Sequence, residues 1–355
     1  MRIAFVAPLV APLCDTTSRG PNIVIAELAR AFLSRGHDVI AFCAQGSYLK
    51  DVPTAPIPLD PRASDAALVN GRHTTASNPA LTSAFEQLFY HLEQWEPDVV
   101  SQHAFDAEPF GLSHHIPTVH TLHLNPNDES VIAAVRGTHA PLVAVSRDSA
   151  RRWTAAGAPR LHTIPNGVSD VPVAIVGPDP IALIAGRIAP EKGTAVAIRV
   201  ARRAGLEPVV VGEVYDRGYF AREIVPLMDG ARVMTTLPRE RVRALMARAA
   251  VTLMPSQWDE AFGLVAAEAQ MAGCPVVGYA RGALPEIVPH GVGGVLVPSG
   301  DEDALVGAIP VARSIDRARV RASALERFDV DEMVDGYEEL LAEAATGMIR
   351  TDLAA

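Results

Sequence analysis

Apolar positions along this chain recur in two alternating rhythms, and their order predicts its architecture. Arg2–Val6 is an apolar run of strand length, and Asn22–Ser34 then carries Ile23, Ile25, Ala26, Leu28, Ala29, Phe32 and Leu33 at helical spacing. Gly36 ends that helix and Asp38–Phe42 reads as the next strand. From about Pro79 to Trp95 a helix presents Leu81, Phe85, Leu88, Leu92 and Trp95 on one side, a stripe that predicts core packing. Pro97–Ser101, Pro117–Thr121 and Leu142–Val145 follow as short strands. Strands alternating with helices predict a parallel sheet covered by helices.

The rhythm stops between about Val168 and Pro180, where Pro172, Gly177, Pro178 and Pro180 show no period and predict a linker. It then restarts. Ile181–Ala185 is a strand, Gly193–Arg203 a helix and Glu207–Val211 a strand. Pro238 is placed for the first turn of a helix running to about Ala249. Val251–Met254, a helix from about Phe262 to Ala272 ended by Gly273, and Pro275–Gly278 complete another strand–helix–strand unit. The fold expected is α/β, with two Rossmann-like doubly wound domains facing each other across a central cleft. Residues 1–170 form the first, 171–330 the second, and a helix within 331–355 packs back toward the first. Ligands of such sheets bind beyond the carboxyl ends of the strands.

A length of 355 residues suits two such domains, and 49% hydrophobic residues supply two cores. Pro8 and Pro12 interrupt the opening apolar run, so it reads as a buried strand rather than an export signal. No stretch approaches the roughly 20 apolar residues of a membrane span. Cys14, Cys43 and Cys274 are too few and too scattered for a disulfide framework, which predicts a reduced, cytoplasmic compartment. The net charge of -10 argues against a nucleic-acid partner or a polybasic membrane patch. Lysine occurs only as Lys50 and Lys192, which singles out the second.

Two segments carry chemistry. In Ser256–Glu268, Glu260 stands in the loop before a helix and Glu268 about two turns into it. The helix start between them exposes N–H groups at Phe262, Gly263 and Leu264; these and the helix dipole favour an anion. A phosphate bound there leaves two carboxylates to accept hydrogen bonds from sugar hydroxyls. A bare pair of glutamates is equally a solvated helix residue and a charge favouring the helix start. The second segment, Ala185–Gly193, joins a strand to a helix and places Arg187 as a planar fork and Lys192 as a point charge for a pyrophosphate. Gly186 and Gly193 permit its tight turn.

Together, Gly-Arg-Ile-Ala-Pro-Glu-Lys-Gly (186–193) and Glu-Ala-Phe-Gly-Leu-Val-Ala-Ala-Glu (260–268) resemble family 4 glycosyltransferases of the GT-B fold. The likeness extends to Arg19-Gly-Pro-Asn, Thr121-Leu-His123, Ile164-Pro-Asn-Gly167 and Leu284–Val288, nearly the whole chain. It implies that Arg187 and Lys192 neutralise the donor diphosphate and that Glu268 holds the ribose. It implies that Glu260, with Ala261 and the N–H groups of Phe262, Gly263 and Leu264, holds the transferred sugar. Gly186 lines the donor loop, Gly20 approaches the diphosphate or acceptor, and His123 touches the sugar. The family usually has two adjacent glycines where this chain has Arg19-Gly20, so Arg19 either adds a cation for the substrates or points to solvent. The Met234–Pro238 loop lacks a glycine that the family often has.

The resemblance also implies a metal-independent enzyme. His103, His114, His115 and His120 fit no standard zinc spacing. His103 and Asp106 read as acceptor-side candidates in the loop after a strand, with an ordinary surface loop as the bland alternative. The function expected is transfer of a hexose or amino-hexose from a UDP- or GDP-linked donor to an acceptor hydroxyl with retained configuration. The rivals are a sugar-nucleotide epimerase or hydrolase on the same fold, and a non-catalytic sugar-nucleotide binder.

Overall fold

The computed structural model describes residues 1–15, 19–59, 79–170, 177–235 and 237–347. It contains two wholly parallel sheets. The first comprises β1 (Arg2–Val6), β2 (Asp38–Ala44), β3 (Thr54–Ile57), β4 (Val99–Gln102), β5 (Thr118–Leu122), β6 (Leu142–Ala144) and β7 (Leu161–Thr163), in the order β3-β2-β1-β4-β5-β6-β7. The second comprises β8 (Asp179–Ala185), β9 (Glu207–Val211), β10 (Arg232–Met234), β11 (Ala249–Met254), β12 (Val276–Tyr279) and β13 (Gly294–Val297), in the order β10-β9-β8-β11-β12-β13. Each sheet belongs to its own compact unit, Met1–Gly167 together with the segment from Asp331, and Val168–Val330.

Strand order reverses once in each sheet, between β1 and β4 and between β8 and β11. At such a switch point the loops leaving neighbouring strands diverge to opposite faces and open a crevice beyond the carboxyl ends. This topology therefore singles out the loops after β8 and β11 in the second unit.

Apolar periodicity explains the packing. Leu81, Phe85, Leu88 and Leu92 of helix Pro79–Gln94 pack on Ala4, Val6, Phe42 and Val100, with Trp95 at the margin. In the second unit Ala197, Ile198 and Ala201 of helix Thr194–Arg203 cover Ile184, Val210 and Leu253. Helix Val330–Ala345 belongs with the first sheet. The Tyr337 hydroxyl lies 3.0 Å from Thr121 Oγ1, and Glu338 meets His37 Nε2 at 2.6 Å and also pairs with Arg35.

Several boundaries differ from expectation. The first helix begins at Gly20, because Pro21 is tolerated in a first turn, where its missing N–H has no helical partner. Pro238, expected inside a first turn, is instead the extended residue that caps helix Arg239–Arg248. Helix Leu264–Met271 starts two residues late because Gly263 is left-handed, with φ +96°. Of the linker expected over 168–180, residues 171–176 lie outside the described residues, as does Thr236 of the 234–238 loop. No helix among the described residues is long and apolar enough to cross a membrane.

Candidate functional site

The loop after β8 is built for close approach. Gly186 (φ +132°) donates its N–H to Val211 O at 2.9 Å, and Ile188 donates to Glu213 O at 2.8 Å, so the loop follows the end of β9. A Cβ on Gly212 would stand 1.8 Å from Gly186 O, so glycine is obligatory where these two segments touch. After one tight turn, Pro190–Lys192, Gly193 adopts φ +67° and opens helix Thr194–Arg203. A Cβ there would lie 2.1 Å from Pro255 O, which brings the loop against the one leaving β11.

Two further contacts lock the two loops together, and a third orients Glu260 within its own loop. Gln257 N donates to Glu191 O at 2.7 Å, Lys192 Nζ donates to Glu260 Oε1 at 2.7 Å, and Ser256 Oγ donates to the same oxygen at 2.8 Å. Burial pushes the Glu260 carboxyl up, but Lys192 and the surrounding hydrogen bonds overcome it and hold the group below its ordinary value. Glu260 is thus ionised, oriented and already engaged. Its backbone is clamped too. Ala283 N donates to Glu260 O at 2.8 Å, and a Cβ on Gly282 (φ +56°) would lie 2.4 Å from Glu260 N and O.

Trp258 organises the cations. Lys192 Nζ lies 4.6 Å from the centre of its ring and the Arg187 guanidinium 5.9 Å away, with Tyr215 on the arginine at 4.5 Å. Arg187 also meets Glu191 at 3.4 Å. Two positive charges expected to converge on a pyrophosphate are therefore brought to one aromatic platform, both about a quarter exposed.

Beside them begins helix Leu264–Met271, which has no side-chain cap and no acid in its first turn. The N–H groups of Phe262, Gly263 and Leu264 donate to no partner among the described residues. Unpaired donors and the positive end of the helix dipole make this an anion-binding position. The Phe262 ring turns inward onto Phe328, so only its backbone faces the site. Ala261 is half-buried between it and Glu260. Glu268 is not a solvated helix residue: it is buried and accepts from Arg239 Nε at 2.6 Å and Arg243 at 3.4 Å. Sequence reasoning missed both arginines, as well as Gly212, Gly282, Tyr215 and Trp258. The signal for the arginines was their four-residue spacing at one helix start, which puts both on one face.

In the first unit, Gly20 is the first residue of its helix, and a Cβ there would meet nothing within 4 Å. Arg19 precedes it as the extended, half-buried cap residue. His103 follows β4 and His123 follows β5, with His103 Nδ1 2.9 Å from His123 Nε2. The expectation that His103 lies in an acceptor-facing loop is corrected: it is fully buried, stacked between Phe5 and Tyr337, and sits behind His123. Asp106 is buried as well, because the segment after β4 turns inward; burial, Glu108 and Asp128 push its carboxyl up to about 7. The remaining histidines do not converge. His120 meets Ser113 at 3.3 Å, His115 meets Glu93 at 2.8 Å, and His114 meets Gly111 O at 2.6 Å.

Comparison with known proteins agrees with this arrangement. The family model described as glycosyl transferases group 1 matches residues 170–323, the half that carries the cationic loops. The model for glycosyltransferase family 4 matches residues 18–170. The D-inositol 3-phosphate glycosyltransferase of Acidothermus cellulolyticus is 28% identical, over 97% of this chain and 92% of that protein. The protein of the same name from Xylanimonas cellulosilytica is 29% identical, over 92% of each. Among solved structures, the glycosyltransferase AviGT4 of avilamycin A biosynthesis superposes with a TM-score of 0.72 at 22% identity, covering 98% of both chains. Anabaena HepE in complex with UDP and glucose gives 0.75 at 18% identity, covering 97% of this chain and 100% of that one. With two family models meeting at residue 170, full-length relatives and two doubly wound parallel sheets, the chain belongs to the family 4 glycosyltransferases of the GT-B fold.

Proposed function

We propose that this enzyme transfers a hexose or amino-hexose from a nucleoside diphosphate sugar to an acceptor hydroxyl, with retained anomeric configuration and without a metal ion. The observation that carries this reading is Arg187 and Lys192 on the Trp258 ring beside the open N–H groups of residues 262–264. That set offers a diphosphate two cations and backbone donors where charge develops as the nucleotide leaves, which is the positive charge a metal would otherwise supply. Glu268, oriented by Arg239 and Arg243, accepts from the ribose hydroxyls. Glu260, oriented by Lys192 and Ser256, accepts from a sugar hydroxyl. A carboxylate held by a lysine and a serine is a poor nucleophile, so acceptor attack on the face the leaving group departs from is favoured over a glycosyl-enzyme. The family resemblance assigns His123 to the sugar and Gly20 to the diphosphate or acceptor.

UDP is the first donor base to test, because HepE, a neighbour in fold, is described in complex with UDP-glucose. The curated relatives' name makes D-inositol 3-phosphate the first acceptor to try. A thermal-shift screen of UDP, GDP, ADP and their sugar conjugates checks the donor, since binding to the folded state raises stability by mass action. The expected result is stabilisation by one nucleotide and its conjugate, lost in Arg187→Ala and Lys192→Ala. Stabilisation by none of them, or near-normal turnover in both variants, refutes the assignment.

A further inference from the structure

Ser101, His103 and His123 form a buried hydrogen-bonded chain in the first unit. Ser101 Oγ lies 2.8 Å from His103 Nε2, and His103 Nδ1 lies 2.9 Å from His123 Nε2. Ser101 and His103 are fully buried, and His123 is only 7% exposed. The His103 ring packs against Phe5 at 5.7 Å and Tyr337 at 5.9 Å between centroids. Burial holds His123 down at about 3, and burial with the neighbouring His123 holds His103 well below its ordinary value. Both rings are neutral, so each carries one proton, and two arrangements of the chain are possible.

In the first, the Ser101 hydroxyl donates to His103 Nε2, His103 Nδ1–H donates to His123 Nε2, and the remaining proton sits on His123 Nδ1. In the second, every bond reverses: His123 donates to His103, His103 donates to Ser101, and the Ser101 hydroxyl proton has no acceptor. The Ser101 hydroxyl makes no other hydrogen bond among the described residues, and the side chain is sealed from water. Leaving that donor unsatisfied selects the first arrangement at roughly five to one or better. His123 Nδ1 itself has no hydrogen-bond partner among the described residues.

We propose that His103, set by Ser101, is a positioning residue that holds His123 in the Nδ1–H tautomer, so that His123 meets its ligand as a hydrogen-bond donor to an oxygen and not as a base. The tautomer stands on the hydrogen-bond chain together with the burial that keeps both rings neutral. That the ligand oxygen belongs to the transferred sugar rests on the function proposed above.

The experiment uses the full chain labelled with 15N-histidine, at pH 7 and without substrate. Two-bond proton–nitrogen spectra identify which ring nitrogen of His123 carries hydrogen, with the His123 signals assigned by their loss in His123→Gln. The expected result is hydrogen on Nδ1 and a bare Nε2. Hydrogen on Nε2, or on both nitrogens, overturns the inference; if His123→Gln does not fold, His123→Asn supplies the same assignment. A near-isosteric pair then tests the positioning role. His103→Asn places an amide donor where Nδ1 stood and keeps the tautomer, with kcat within about fivefold. His103→Asp, in its ionised form at pH 8, can only accept, so it moves the proton to Nε2 and lowers kcat about 100-fold with little change in donor KM, the scale of losing one aimed donor. Equal kcat in the two variants despite the tautomer change overturns the positioning role. An Nδ1–H tautomer with full activity in His123→Gln leaves the tautomer standing and removes the sugar contact from the proposed function.

Discussion

Lys192→Met removes the charge that outweighs the burial of Glu260 while keeping most of the side-chain volume. The Glu260 side chain is 8% exposed and that of Lys192 23%. Breaking a fully buried pair costs about 3–5 kcal/mol, and partial solvent access at the ammonium lowers the figure here to about 2–3 kcal/mol. In a unit the size of Val168–Val330, the corresponding fall in Tm is about 6–10 °C. The deficit has a definite pH dependence. In the unsubstituted protein the Glu260 carboxyl is held low, so its stabilisation is present above the unfolded carboxyl value and is lost as pH falls through the folded one. In the variant, burial without Lys192 pushes it up, so the penalty is largest at pH 7–8 and fades as pH falls toward about 4.5. Calorimetry across this range measures it. The double variant Lys192→Met, Glu260→Gln leaves no buried charge and recovers about 2 kcal/mol of the loss. Its turnover, in contrast, stays about 100-fold or more below normal, because the diphosphate still lacks its cation. A single variant within 1 °C of the parent would refute the claim that Lys192 holds Glu260 in place. Turnover restored in the double variant would refute both the cation role of Lys192 and the sugar contact of the Glu260 carboxylate.

Three shorter predictions follow from other contacts. Asp106 has its folded value raised to about 7, so the native state loses stability as pH rises from the unfolded value through 7; Asp106→Asn is expected to gain about 4 kcal/mol at pH 8 and nothing at pH 4, read from denaturant midpoints. Trp258→Leu removes the ring under Lys192 and Arg187 and is expected to weaken nucleotide binding about five- to tenfold, measured by titration calorimetry, with the fold intact by circular dichroism. Gly193→Ala forces a side chain into a left-handed position against Pro255 O and is expected to cost about 2 kcal/mol or more in thermal unfolding; an unchanged Tm would mean the two loops are not packed as described.

The sequence by itself determined the inner framework. All nine inner strands were legible, most of them as apolar runs, because strands buried on both faces are rich in apolar residues; β4 and β5 also bury Ser101, Gln102, Thr118, His120 and Thr121. The four that escaped notice, β3, β7, β10 and β13, are the four sheet edges. Three of them leave polar or exposed positions in runs of three or four residues; the fourth, β13, is a short apolar run opened by Gly294 and was passed over all the same. The glycine and charge spacing of residues 186–193 and 260–268 likewise marked the donor loops, since a tight turn and an open helix start each demand particular residue types at fixed offsets. Partners were another matter. Lys192 meets Glu260 from 68 positions away and Arg239 meets Glu268 from 29, because parallel-strand crossovers bring the ends of distant strands together. Only the tertiary structure could decide that His103 lies behind His123 instead of facing solvent, since the same residue after a strand is exposed or buried according to what packs over it. Here Phe5 and Tyr337, from opposite ends of the chain, close on its ring and seal it from water.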